Sequence, residues 1–153
     1  LDAHADLRDS FCGEKLSHAC VMRRGYDFLG DGRIYQFGIR SGTKAEFDFA
    51  KAHTRMNCFD LTAIPEAVKE IGTKPVYLTI DLDVLDPSVF SGTGTPEPGG
   101  VTFRELQKGL AEMAGQNIVG ADLVELSPHY DASGVSTAAA CKALRETLLI
   151  MGK

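Results

Sequence analysis

No apolar stretch in this chain approaches the roughly 20 residues needed to cross a bilayer, and its start lacks the basic-then-apolar pattern of a secretory leader. Neither a membrane span nor secretion is therefore expected, and the expected location is the cytoplasm. The four cysteines, Cys12, Cys20, Cys58 and Cys141, form no C-x-x-C pair and no dense framework. That excludes a disulfide scaffold and leaves reduced thiols, expected as small buried hydrophobes. Positive charge is not in excess either, since the formal net charge is −5. An acidic chain is a poor partner for nucleic acid or an anionic membrane, but a suitable one for a small cationic substrate. Internal repeats and low-complexity tracts are missing. The glycine-rich stretch from Ser91 to Gly100 also lacks the Lys-Ser/Thr ending of a phosphate-binding loop.

What is present is a chain of 153 residues with 44% hydrophobic content. That is ordinary single-domain size, so one α/β domain over residues 1–153 is expected, burying about 70% of its unfolded surface. Strands are predicted at 33–40, after the Gly30-Asp31-Gly32 turn, and at 55–59, 76–83 and 117–126. Helices are predicted at 17–29, 44–53, 64–71 with Pro65 in its first turn, 102–114 and 137–151. Thr102 and Glu105 make a capping box ahead of an apolar stripe of Phe103, Leu106, Leu110 and Met113. In the last helix Cys141, Leu144, Leu148 and Met151 share one face. Regular β/α alternation implies a parallel sheet covered by helices, with the site at the carboxyl ends of the strands.

Five metal-competent side chains fall in two short clusters, Asp2-x-His4-x-Asp6 and Asp81-x-Asp83. In extended chain, every second side chain leaves the same side of the backbone, so the members of each cluster project together. A lone D-x-D also serves turns and caps. Here, however, the acids close the strongest strand signal in the chain, Pro75-Val76-Tyr77-Leu78-Thr79-Ile80. A buried parallel strand carries acids only where they are paired or hold a metal. Four carboxylates and one imidazole nearly neutralise two divalent cations, and that ligand mix suits Mn²⁺. The glycine-rich stretch directly downstream is expected to wall the site.

Together with Ser17-His18-Ala19, Asp81-Leu82-Asp83-Val84-Leu85-Asp86-Pro87, Thr93-Gly94-Thr95-Pro96-Glu97-Pro98-Gly99-Gly100 and Glu125-Leu126-Ser127-Pro128, these clusters resemble the ureohydrolase (arginase/agmatinase) family over essentially the whole chain. The resemblance implies a three-layer α/β/α fold of the arginase/deacetylase type. It further implies two manganese ions that generate a bridging hydroxide, which hydrolyses a guanidino compound to urea and an amine. By motif, Asp2 and Asp81 would bridge the metals, Asp6 would help hold the first, and His4 with Asp83 the second. His18 would be the proton shuttle to the leaving amine, a role suited to an imidazole titrating near neutrality. Glu125 would pair with the planar guanidinium.

The Pro-Glu-Pro-Gly-Gly loop ending is more like the branch that cleaves agmatine to putrescine and urea than the branch that cleaves arginine. Arginine, guanidinobutyrate, guanidinopropionate and formiminoglutamate stay open as substrates. The family implies a homotrimer or homohexamer. It also has an upstream Gly-Gly-Asp-His-type motif and several strands that this chain does not contain, so the expectation is a carboxyl-terminal half lacking the N-terminal strands and one metal-binding histidine. The alternatives are an inactive fragment that docks on another chain through an exposed sheet edge, and a two-metal phosphohydrolase, which the missing basic cluster disfavours. Asp9, Asp86 and Asp131 are candidates either to orient loops or to accept hydrogen bonds from metal ligands, and His53 and His129 are expected to be solvated or capping.

Overall fold

The computed structural model describes residues 1–152. Its regular elements follow the expected alternation. A 3-10 turn at His18–Cys20 leads into α1 (Val21–Leu29), then β1 (Tyr35–Ile39), α2 (Lys44–His53), β2 (Arg55–Cys58) and α3 (Ile64–Ile71). The second half runs β3 (Val76–Asp81), a 3-10 turn at Leu82–Val84, α4 (Phe103–Glu112), β4 (Ile118–Val124) and α5 (Val135–Met151). The strands are one to three residues shorter than the sequence pattern predicts. In particular, β3 stops at Asp81, so Asp83 sits on the 3-10 turn rather than on the strand.

Two parallel pairs, β1 with β2 and β3 with β4, make the regular sheet. The first five residues join them. Leu1 N–H donates to Thr79 O and Leu1 O accepts from Asp81 N–H, while Asp2 N–H donates to Phe37 O and Ala3 O accepts from the Arg40 and Ser41 N–H groups. Residues 1–5 thus act as a central strand, giving the order β2, β1, 1–5, β3, β4. Burial alternates along it: Leu1, Ala3, Ala5 and Leu7 are buried, and Asp2, His4 and Asp6 are partly open. That is the predicted period of two.

The order explains where the helices go. From residues 1–5 the chain steps outward through α1 to β1 and through α2 to β2, whereas α3 and α4 carry it the opposite way to β3 and β4. Right-handed crossovers running in opposite directions place their helices on opposite faces. Two cores result. Ile64, Leu106, Leu110 and Ala143 from α3, α4 and α5 pack with Phe37, Leu78 and Ile80. Met22, Phe47 and Ala50 from α1 and α2 pack with Ala5, Leu7 and Ile39. Strand β1 serves both cores because the register slips between Phe37 and Ile39. The bulge is at Gly38, whose φ of +86° and close approach to Val84 leave no room for a side chain.

Two expectations need correction. In α5 the buried face is Ser136, Ala140, Ala143, Thr147 and Ile150. Cys141, Leu144 and Leu148 of the predicted stripe are exposed instead, because both sides of this helix are apolar and only one meets a neighbour. Likewise only Cys20 is a buried thiol; Cys12 in a turn and Cys141 on α5 face outward and are exposed, and Cys58, closing β2, is intermediate. The same end of the molecule shows a bare sheet face. Helices α1 and α2 stop short of β3 and β4, leaving Tyr77 and Val119 each 64% exposed. Strand β4 has β3 as its one neighbour among the described residues, so its outer edge is unpaired as expected.

Candidate metal centre

The strand order reverses between residues 1–5 and β3, and crevices at such switch points are where open α/β sheets bind ligands. Both acidic clusters meet there. Asp2 and His4 come from the central strand, and Asp83 comes from the turn after β3. One ligand atom from each lies within 4.8 Å of the others. Their backbones lock the arrangement: Ala3 N–H donates to Asp83 Oδ1 at 3.1 Å, His4 N–H to Asp2 Oδ1 at 2.6 Å and Asp83 N–H to Asp81 Oδ1 at 2.9 Å. Asp81 thereby caps the turn that carries Asp83.

The other Asp83 oxygen is different. Asp83 is 1% exposed, and its Oδ2 lies at ion-pair distance, 2.9 Å, from His4 Nδ1 without a well-directed hydrogen bond. A buried carboxylate oxygen facing a ring nitrogen without a directed bond is costly. A cation bound by both atoms would remove that cost, so the donor set fits a divalent metal with oxygen and imidazole ligands.

The protonation pattern has the same origin. Burial, followed by the charge of Asp2, pushes Asp81 up to about 10 and Asp6 up to about 7. Asp2 is raised by burial and by Asp83. Burial would also raise Asp83, but His4 beside it and the Ala3 N–H outweigh that and hold it below its usual value. His4 in turn is raised to about 10 by Asp2 and Asp83. Neighbouring carboxylates in one crevice cannot all be ionised without a compensating cation.

Asp6, His18 and Glu125 are outside the group whose ligand atoms lie within 4.8 Å of one another. Asp6 is partly buried and occupies the left-handed region at φ 52°. His18 is exposed, its ring edge-on to Phe11 with centroids 5.4 Å apart. Glu125 follows β4 and is exposed, so burial imposes no penalty on it there. Its φ of 65° is strained for a glutamate and turns it out of the strand line, leaving Oε2 beside Gly94 in the glycine-rich loop. No sequence signal marks that conformation.

The loop itself is anchored by Asp86, whose Oδ2 accepts from the Gly99 and Gly100 N–H groups. Asp131 accepts from the Ser133 and Ser136 N–H groups, and Asp9 pairs with Arg24 at 3.0 Å, so all three acids do orient loops. His53 pairs with Asp31 at 2.6 Å near the end of α2. Three supporting residues were not singled out from sequence. Glu46, 3% exposed, accepts from Leu7 N–H and closes a capping box with Thr43, tying the metal-cluster segment to α2. The Thr43-x-x-Glu46 spacing was the available signal. Arg40 and Glu97 bridge β1 to the loop, and only their neighbourhood was legible.

Comparison with known proteins agrees with this fold. The arginase family model matches residues 1–150. Agmatinase from Bacillus cereus is 47% identical over 97% of this chain and 53% of its own length. The guanidinobutyrase of Pseudomonas aeruginosa is 34% identical over 99% of this chain and 51% of its own length. Agmatine ureohydrolase of Thermoplasma volcanium superposes with a TM-score of 0.84 at 36% identity, over 99% of this chain and 53% of its own. The chain spans about half the length of the curated relatives it matches. With the sheet order, the switch-point cluster and a family match running almost end to end, this chain belongs to the arginase family.

Proposed function

We propose that this chain carries part of the active centre of a manganese-dependent ureohydrolase that cleaves agmatine to putrescine and urea. The observation that carries the proposal is the trio Asp2, His4 and Asp83 at the switch point, with a buried carboxylate oxygen that faces His4 Nδ1 without a well-directed hydrogen bond. Asp6 and Asp81 share the electrostatic field of that trio and complete the proposed ligand set. When bound, a pair of divalent cations supplies Lewis-acid polarisation and lowers the pKa of water.

The chain's own groups do the rest. The acidic crevice attracts and holds a cationic guanidino group. Glu125, beside Gly94, offers a planar carboxylate matched to the guanidinium, and the strained backbone fixes its direction. His18, exposed and reachable by solvent, passes a proton to the departing amine. The agmatinase relatives support agmatine over arginine, guanidinobutyrate and formiminoglutamate as substrate. A homotrimer or homohexamer, working in the cytoplasm, belongs to the same proposal by family resemblance.

The test is urea release from agmatine and arginine in parallel after preincubation with Mn²⁺. It uses this chain and the same chain joined to the half of the Bacillus cereus agmatinase that it does not span, each with Asp83→Ala as control. Urea from agmatine alone, lost in the control, is the expected result. Silence from the joined protein on both substrates would sink the proposal.

A second reading has its own observation, the bare face and unpaired outer edge at β3 and β4. On it the chain is a non-catalytic piece that docks another polypeptide through the β4 edge. Sedimentation with Mn²⁺ titration separates the two, since a monomer holding two tightly bound cations is incompatible with a mere docking piece.

A further inference from the structure

Arg40, just past β1, directs its guanidinium at backbone carbonyls alone. It donates to Gly38 O, Asp83 O, Val84 O and, through both Nε and Nη2, to Glu97 O at 3.1 and 2.7 Å. One side chain thereby ties the end of β1 and the Asp83 turn to the Pro96-Glu97-Pro98 segment of the loop. Prolines on both sides of Glu97 fix their own φ and lack N–H groups, so this stretch has little freedom. A Cβ at Gly100 would lie 2.6 Å from Arg40 Nη2, so only glycine lets the loop come this close.

The Glu97 side chain is also held. Its Oε1 accepts from Ser41 Oγ at 3.0 Å and lies 3.9 Å from His4 Nε2, while Nδ1 of the same ring faces Asp83 and Asp2. Ser41 is itself paired with His4 across the sheet. Histidines that bind metal through one nitrogen commonly donate the other N–H to a carboxylate, which fixes the tautomer and the ring plane. A carboxylate anchored through Ser41 and Arg40, about 1 Å beyond hydrogen-bond distance of the free nitrogen, is placed for that role.

We infer that Glu97 is the positioning residue for His4, accepting its Nε2–H so that Nδ1 is presented to the cation. This rests on the metal centre proposed above. Glu97 touches neither the reacting atoms nor the cation, and it acts through the imidazole.

Calorimetric titration of the full chain with Mn²⁺ alone, comparing wild type with Glu97→Ala, Glu97→Gln and Ser41→Ala, tests the inference. Loss of such an outer carboxylate typically weakens metal binding about 10–100-fold. Glu97→Ala is expected to fall in that range for one cation. Glu97→Gln, which still offers an acceptor oxygen, should restore part of the loss, and Ser41→Ala should lose affinity by a smaller factor. Thermal melts in chelator should match wild type, because a merely structural role would change the metal-free chain as well. Mn²⁺ affinity in Glu97→Ala within twofold of a tightly binding wild type would overturn this inference and leave the proposed function standing. A wild type that binds no Mn²⁺ would overturn both.

Discussion

Asp83 illustrates how a single side chain reports on the site. One of its oxygens is satisfied by Ala3 N–H, and the other, buried, faces His4 Nδ1 at 2.9 Å without a well-directed hydrogen bond. Asp83→Asn keeps the shape and removes the charge. It should weaken Mn²⁺ binding by more than about 100-fold, beyond the usual loss for a group outside the coordination sphere. Equilibrium dialysis would check this, and an affinity near wild type would contradict it.

The cluster also sets an unusual pH dependence. Asp6 and Asp81 titrate in the folded chain at about 7 and about 10, above their ordinary values, and His4 at about 10. For each group the folded pKa exceeds the unfolded one, so its contribution is fully present at low pH and is lost as pH rises through the folded value. The metal-free chain should therefore lose thermal stability between about pH 5 and 9. Mn²⁺, which displaces those protons, should flatten or reverse the slope. Melts at pH 5, 7 and 9 in chelator and in Mn²⁺ would show it, and a metal-free midpoint that rises over this range would count against the cluster. Legibility in the sequence divides along the same line at this scale. The donor types and their period of two were readable, whereas the left-handed backbone at Asp6 and Glu125 was not, because tertiary packing imposes it.

Helix α2 shows how one element supports the site. Its capping glutamate, Glu46, also accepts from Leu7 N–H, one residue past the Asp2-x-His4-x-Asp6 run. Glu46→Ala removes a cap, worth about 1 kcal/mol, and orphans a buried N–H, worth about 1–3 kcal/mol. Denaturant unfolding should show a loss of about 2–4 kcal/mol, against under about 0.5 kcal/mol for an exposed acid such as Glu112. Helix starts were legible in the capping box at Thr102 and in Pro65, and the box at Thr43 offered the same signal unused.

The face a helix buries was readable in α4, where apolar residues form a single stripe, but not in α5, which is apolar on both sides. Hence Leu106→Ala should cost about 2–5 kcal/mol, while Leu148→Ala, from the predicted but exposed stripe, should stay within about 0.5 kcal/mol. Equal losses would mean that α5 is packed differently. Strand β3 likewise ended two residues early, because the Asp81 side chain captures the Asp83 N–H and begins a 3-10 turn.

At the scale of the whole molecule, the sheet order with right-handed crossovers sets which face each helix covers, and the two acidic clusters converge because the order reverses between them. That convergence was predicted from the β/α alternation. The part played by residues 1–5 was not, since one apolar residue ahead of Asp2 gives no strand signal. Hydrogen bonds to β1 and β3 make the strand regardless. Tyr77 and Val119 on the bare sheet face, and Leu144 and Leu148 on the outer side of α5, are apolar side chains open to solvent. The chain should bind a hydrophobic dye strongly, and a Leu144→Lys, Leu148→Lys double variant should bind much less of it with an unchanged fold. Equal dye binding would place the apolar surface elsewhere.

The central claim is that the switch-point crevice is a divalent-cation site. Anomalous diffraction at the manganese edge, from crystals of this chain grown with Mn²⁺, tests it most directly. The account predicts a peak bonded to His4 Nδ1 and Asp83 Oδ2, with Asp2 beside it. An empty crevice at saturating Mn²⁺, with those two atoms still facing each other, would contradict it.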